Sequence, residues 1–206
     1  PDAPVVAVFE DVGASGAYSH ACGVGEHGTI VAHPTAVVGS IGVIVQTVSF
    51  AGTMDKLGIE AQAVKSGPHK DMCSPLAPLR PEDLAIVQGI VDAFHERFVE
   101  VVADARPGLD RDAVRALADG RVFTAADARA KGLIDRIGYT EDAVALAKAA
   151  SASERVKVVM YQRPWGAKTN LYAALPSAPQ INLVNISADR IMEFARPRFL
   201  YLWTGR

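Results

Sequence analysis

Val5-Val6-Ala7-Val8-Phe9-Glu10-Asp11-Val12-Gly13-Ala14-Ser15-Gly16-Ala17-Tyr18 passes from an unbroken apolar run, through small residues, into the start of a helix. The run Val5 to Phe9 predicts a strand buried on both faces, as in a parallel sheet. Gly13, Ala14, Gly16 and Ala17 leave space for a second backbone to come close to Ser15. A serine at a strand-to-helix turn sits beside free backbone N–H groups, which can hold an oxyanion. The plain alternative is a serine that only caps a tight turn. A second stretch bears on that choice. Val64-Lys65-Ser66-Gly67-Pro68-His69-Lys70-Asp71 sets two lysines in a glycine/proline loop. Together the two stretches read as a nucleophile and its base.

Outward from these stretches, elements alternate. Thr29 to Ala32 reads as a short strand ending at His33-Pro34, and Ile41 to Val48 as a β-branched strand after Gly39-Ser40. Met54 to Leu57 predicts a short helix closed by Gly58, and Ile59 to Val64 a strand that delivers the lysine loop. Pro81-Glu82-Asp83 is an acidic first turn. After it, Leu84, Val87, Ile90, Val91, Phe94, Phe98, Val101 and Val102 keep helical spacing up to Pro107-Gly108. Asp110 to Asp119 predicts a helix stopped by Gly120. Thr124 with Asp127 predicts a capped helix ending near Gly132. Thr140 opens another, with Val144 and Leu146 inward, and Val156 to Tyr161 reads as a last strand. This is an α/β chain with a largely parallel sheet or wound ββα repeats and a helical later part.

Residues 1–162 read as the C-terminal part of one domain, with its upstream part expected outside this chain, and 163–206 as a C-terminal arm. Pro164, Pro176 and Pro179 break the arm, and Ile186 to Ala195 is its candidate helix. Its apolar end, Phe199 to Trp203, is expected to pack on its own domain, with a neighbouring subunit as the sharper alternative.

The 206 residues suffice for one sizeable core, and half of them are apolar. A net charge of −2 gives no electrostatic case for nucleic acid. Cys22 and Cys73 lack metal-ligand spacing and read as buried free thiols, with a disulfide as the alternative. No metal is implied. No signal peptide or membrane span is visible. The most apolar helical stretch is interrupted by Asp92, His95, Glu96, Arg97 and Glu100.

Several motifs occur in one order: Asp11 to Tyr18, Gly39-Ser40-Ile41-Gly42-Val43-Ile44, Lys65 to Asp71 with Ser74-Pro75, Asp119-Gly120-Arg121-Val122-Phe123-Thr124, and Gly132-Leu133-Ile134-Asp135. The ordered set, over about residues 4 to 150, resembles the signal peptide peptidase A (SppA) family, serine peptidases of the ClpP/crotonase fold. Where that family commonly has Ser-Gly-Gly-Tyr-Tyr, this chain has Ser15-Gly16-Ala17-Tyr18-Ser19, which keeps the serine and alters the pocket wall. Gly23 to Gly28 is slightly longer than usual there.

The resemblance implies wound ββα repeats and a serine endopeptidase with a Ser-Lys dyad. It makes Ser15 the nucleophile and Lys70, the second lysine of Lys-Ser-Gly-x-x-Lys-Asp, the general base. It makes Ser40 the residue that orients the lysine amine. Gly16 is expected to supply one oxyanion N–H, as the residue after the nucleophile does in many hydrolases. The resemblance also implies upstream β/α structure, with a loop carrying a second oxyanion donor, and a membrane anchor outside this chain. It implies an extracytoplasmic catalytic domain and a homo-oligomer whose serine and lysine come from adjacent domains. Substrates would be apolar, extended peptides such as signal-peptide remnants, with no cofactor.

The chemistry requires an unprotonated amine. A lysine in water, with a pKa of about 10.4, is almost wholly protonated at neutral pH. A water-poor site disfavours the ammonium, and the neutral amine can then take the serine proton and return it to the leaving amine. Asp71 would oppose this if it paired with Lys70, so it is expected to point elsewhere, while Lys65 reads as a solvated charge. Ser66 and Gly67 read as turn formers, and Tyr18 as packing under the first helical turn. A ClpP-like serine–histidine peptidase is the near alternative. Of the five histidines, His33 precedes Pro34 at a strand end, His20 faces away from Ser15, His69 adjoins Lys70, and His27 and His95 read as surface positions. None lies in a ClpP-like histidine motif. A crotonase-type acyl-CoA enzyme and a non-catalytic scaffold domain are the alternatives from other classes.

Overall fold

A Cβ placed on Gly13 would lie 2.2 Å from the ring of Phe9, so the chain can turn back under that ring only with glycine there. This turn joins strand β1, Val6–Phe9, to β2, Val12–Ala14. The structure is a computed structural model that describes residues 5–25, 27–151, 156–159, 161 and 199–200. Contacts divide the chain into a unit of residues 1–152 with 195–206 and a unit of residues 153–194.

In the first unit, β2 runs into helix α1, Gly16–Ala21, and a short 3-10 turn, Cys22–Val24. Strands β3, Thr29–Ala32, and β4, Val37–Gly39, follow. After β5, Ile44–Val45, come α2, Ala51–Lys56, and the long α3, Pro81–Ala105. Then come α4, Arg111–Leu117, β6, Val122–Thr124, α5, Ala125–Ala130, β7, Arg136–Ile137, and α6, Thr140–Ala150. A two-residue strand β8, Phe199–Leu200, pairs antiparallel with β5.

The strands form small sheets rather than one continuous sheet. One has the order β1-β3-β7, all parallel; another has the order β2-β4-β6, with β6 antiparallel to β4. Strands β1 to β4 therefore alternate between two sheets, and the helices pack against them. Tyr18, Ile30, Val38, Phe98, Val102 and Leu133 are among the buried residues of the shared core.

The expected helices recur with shifted ends. Pro81 opens α3 with Glu82 and Asp83 in its first turn. The Asp110 carboxylate caps α4 by accepting the Ala113 N–H at 2.7 Å, and Thr124 caps α5 by accepting the Asp127 N–H at 3.1 Å. In α6, Ala143 is buried while Val144 and Leu146 are half-buried. Several strand expectations fail. Val6 to Val8 are only half-buried, because β1 pairs with β3 alone among the described residues. Of the strand expected over Ile41 to Val48, only Ile44–Val45 is strand, and the main strand here is Val37–Gly39, which ends at the motif glycine Gly39. Ile59 to Val64 forms no strand and is exposed, having no partner strand among the described residues. In the second unit, residues 156–159 and 161 are exposed and form no strand. The candidate helix Ile186 to Ala195 lies outside the described residues, as does most of the aromatic arm.

Candidate active site

Parallel pairing of β2 with β4 sets Ala14 against Gly39, so the residues that follow, Ser15 and Ser40, emerge side by side. The Ser15 N–H donates to the Gly39 carbonyl at 2.8 Å, which fixes this register. Both serines leave their strands in left-handed backbone: Ser15 at φ 54, ψ −118 and Ser40 at φ 49. Non-glycine residues rarely adopt such angles, and they gather where a side chain must be held at a defined point. Cys73 is the third such residue among those described. The Ser15 hydroxyl makes no capping bond to α1, which removes the simplest structural role for this serine. Ser15 is 1% exposed and Ser40 8%. The Gly16 N–H has no hydrogen-bond partner among the described residues.

Neighbouring motifs brace this pair. The Ser40 N–H donates to the Arg121 carbonyl at 2.8 Å, and the Gly120 N–H donates to the Ile41 carbonyl at 3.1 Å. The segment Asp119 to Thr124 thus holds the Ser40 turn, a role that β6 plays and that sequence reading did not give it. The β-prone run Val122-Phe123-Thr124 was the available signal. The buried Tyr18 hydroxyl donates to the Leu133 carbonyl at 2.8 Å and ties α1 to the Gly132–Asp135 motif. Asp135 in turn accepts from the Ile30 N–H at 2.7 Å and from Arg106 at 2.7 Å. Burial works against its charge, but the bonds from Arg106 and Ile30 outweigh this and hold its carboxyl below the usual range. Cys22 and Cys73 are free and buried. Burial pushes the Cys22 thiol up to about 11, so it stays protonated and unreactive. A cavity of about 440 Å³ opens beside Ser40, lined also by Val43, Val91, His95 and Gly120.

The lysine loop is held differently. Lys65 is not simply solvated: its ammonium donates to both carboxylate oxygens of Asp71 at 2.6 Å. Arg80 lies 3.5 Å from the same carboxylate. The bond from Lys65 draws the Asp71 carboxyl below its usual range, and Asp71 is turned away from Lys70 as expected. Lys70 is exposed and has no side-chain partner among the described residues. The structure therefore brings Ser15, Gly16 and Ser40 together, while no hydrogen bond joins Lys70 to either serine.

No histidine bonds to Ser15 among the described residues. His20 contacts the Gly16 carbonyl at 2.6 Å, and His33 contacts Thr35 and the edge of Tyr139. His69 bonds Asp83. His95 is half-buried against the Ala118 carbonyl, not a free surface residue, because α3 packs on α4 there.

Comparison with known proteins agrees with this arrangement of motifs. The family model for Peptidase family S49 matches residues 2–154. The chain is 39% identical over 143 residues to "Putative signal peptide peptidase SppA" of Enterococcus faecium, covering 69% of this chain and 40% of that protein. It is 39% identical over 139 residues to a putative protease of Synechocystis, covering 68% of this chain and 49% of that protein. It is 30% identical over 165 residues to "Serine protease SPPA, chloroplastic" of Arabidopsis thaliana, covering 78% and 24%. The chain thus spans less than half the length of these relatives. The match across nearly all of the described first unit places the chain in peptidase family S49, the SppA family of serine peptidases.

Proposed function

We propose that this chain carries the nucleophile and the base of a serine endopeptidase with a Ser15–Lys70 dyad, built on wound ββα repeats. The observation that carries the reading is the pair of buried serines in left-handed backbone at the ends of β2 and β4, with the Ser15 hydroxyl unused as a cap. The alternation of β1-β2-α1 and β3-β4 between two sheets supports the wound repeat.

In acylation, the Ser15 hydroxyl oxygen attacks the scissile carbonyl carbon, and its proton passes to the neutral amine of Lys70. The developing oxyanion accepts the free Gly16 N–H. The C–N bond then breaks, and the lysine returns the proton to the departing amine. Water, deprotonated by the same amine, attacks the acyl-enzyme and releases the acid and Ser15. Ser40 donates to or accepts from the lysine amine and aims it at Ser15. An exposed Lys70 on a loop whose preceding residues, Ile59 to Val64, are unpaired suits delivery to the Ser15 of another copy in a homo-oligomer. We take the substrates to be extended apolar peptides such as signal-peptide remnants. The site would work on the extracytoplasmic side of a membrane, held there by a segment outside this chain. Among the described residues no helix is long and apolar enough to cross a membrane.

The test is labelling of the full-length protein with a fluorophosphonate, followed by peptide mapping. Modification at Ser15 that disappears in Ser15→Ala and in Lys70→Ala is the expected result. Binding of acyl-CoA without labelling would assign the chain to another chemistry.

A further inference from the structure

Among the described residues, the buried polar and charged residues are Ser15, Ser40 and Asp83, the last 2% exposed. A buried carboxylate is costly unless it is paired and hydrogen-bonded. Asp83 stands at the third position of α3, where an acidic side chain commonly turns back to cap its own helix. It makes no capping bond. One of its oxygens instead lies 2.6 Å from Nδ1 of His69, and the other accepts from Nε of Arg80 at 2.6 Å. Those bonds, from His69 first and from Arg80, hold its carboxyl below the usual range.

Both partners reach back to the lysine loop. His69 immediately precedes Lys70. Arg80 also donates to the Pro68 carbonyl at 2.5 Å and lies 3.5 Å from Asp71, which immediately follows Lys70. Lys65 closes the network on Asp71 at 2.6 Å. Glu82 is at its margin, 3.9 Å from Arg80. The loop itself has only turns: Lys70 N–H to the Gly67 carbonyl at 3.3 Å, Met72 to His69 at 3.1 Å, and Ser74 to Asp71 at 2.9 Å. No strand ladder holds it. Side-chain bonds hold it instead, with His69 and Arg80 on the buried Asp83 and Lys65 and Arg80 on Asp71. Within this ring of paired charges, Lys70 has the one ammonium without a partner.

From this arrangement we infer that Asp83 is a positioning residue for the reaction, acting through His69 and Arg80 to hold Lys70 in register and its neighbouring acid, Asp71, away from it. The inference rests on the reading of Lys70 as the base. Replacing the Asp83 carboxylate by an amide leaves one acceptor oxygen for two donors and removes the charge that holds Arg80, so the bonds on both sides of Lys70 weaken at once. The amine is then presented to the serine in only a fraction of molecules. Substrate contacts made elsewhere are untouched, so kcat falls while KM holds.

The test compares Asp83→Asn and His69→Gln with the parent in the full-length protein, using steady-state peptide hydrolysis and amide hydrogen exchange. Expected are a fall in kcat of about tenfold or more for Asp83→Asn, KM within twofold, and faster exchange confined to residues 65–74. His69→Gln, which cuts one arm of the network and leaves Arg80 in place, should show a smaller change of the same kind. Wild-type kcat in both variants overturns the inference if Lys70→Ala is inactive, and in that case the dyad stands. Wild-type turnover in Lys70→Ala removes the dyad itself. A loss in Asp83→Asn accompanied by faster exchange through β2, β4 and α3 would assign Asp83 to general stability and also overturn the inference.

Discussion

The Ser15 N–H donates to the carbonyl of Gly39 at 2.8 Å, and that single bond sets two serines from different motifs beside each other. Each leaves its strand with a positive φ, so each side chain is aimed by a backbone conformation that the chain adopts at a cost. Strain of this kind is about 1–3 kcal/mol per residue.

A strained nucleophile predicts an opposition between stability and activity at Ser15. In Ser15→Gly the left-handed backbone becomes easy, while the flexible residue costs about 0.5–1 kcal/mol of extra chain entropy. The variant should be as stable as the parent or more stable by up to about 2 kcal/mol, yet inactive. Ser15→Ala should also be inactive, but with no gain. Thermal unfolding beside peptide hydrolysis checks this. A clearly destabilised Ser15→Gly would mean that the serine supports the fold.

Ser40 should act on the base and leave substrate binding alone. Ser40→Ala keeps the Cβ and the backbone bond to the Arg121 carbonyl, so the turn persists. Loss of one orienting hydrogen bond should lower kcat by about ten- to a hundredfold, the range of about 1.5–3 kcal/mol for a bond to a charged group. KM should hold. An unchanged kcat would remove Ser40 from the lysine's surroundings.

Ser15 was legible in sequence because it follows a run that reads as a strand and sits between Ala14 and Gly16. Ser40 was singled out by the resemblance of its motif, and its strand was expected after it, whereas β4 lies before it. The long helix α3 was legible from its spacing and from Pro81. The strands around the lysine loop were not. Ile59 to Val64 is apolar and bounded by turn residues, which is the local signature of a buried strand. Whether such a segment becomes a strand depends on a partner, and none lies beside it among the described residues. The two-residue β7 was missed for a related reason. Arg136-Ile137 has no periodicity to read and is a strand only because Ala32 and Val31 lie opposite. Asp83 was seen only as part of an acidic first turn. Its burial and its bond to His69 in the loop, fourteen residues away, are tertiary facts.

Acid should loosen the structure where carboxylates hold elements together. The Asp135 carboxyl is depressed in the folded chain, so it binds its proton less readily there than in the unfolded chain. Its stabilising contribution is full above the unfolded value, about 3.9, and is lost as pH falls through the lower folded value. Asp135→Asn should therefore cost about 1 kcal/mol at neutral pH, because the group is partly open to solvent and screened. The penalty should shrink below about pH 4. Denaturant unfolding at pH 7 and pH 3 checks this, and a penalty equal at both would mean that Arg106 gains nothing from the Asp135 charge.

A lysine base also fixes the direction of the pH profile. Only the neutral amine accepts the Ser15 proton, so kcat should rise with pH until the amine is unprotonated or the fold gives way. Lys70→Arg cannot lose its proton in this range and should be inactive at every pH, despite keeping its charge. Activity of Lys70→Arg with the parent's profile would place the base elsewhere.

Lys70 is exposed, Ser15 is buried, and no hydrogen bond joins them within one chain. If the dyad forms between copies, two inactive variants should complement each other. Ser15→Ala still presents a competent lysine, and Lys70→Ala still presents a competent serine. In a mixed assembly some interfaces combine the two intact groups. In a ring with random mixing at equal amounts, about a quarter of the sites pair an intact serine with an intact lysine, so activity should return to roughly that fraction. Subunit exchange must be shown first, by co-purification of differently tagged variants after mixing. Activity that stays at background in proteins that demonstrably co-assemble would place serine and lysine in the same chain. The lysine loop, residues 65–74, would then have to fold inward towards β2 and β4 for catalysis.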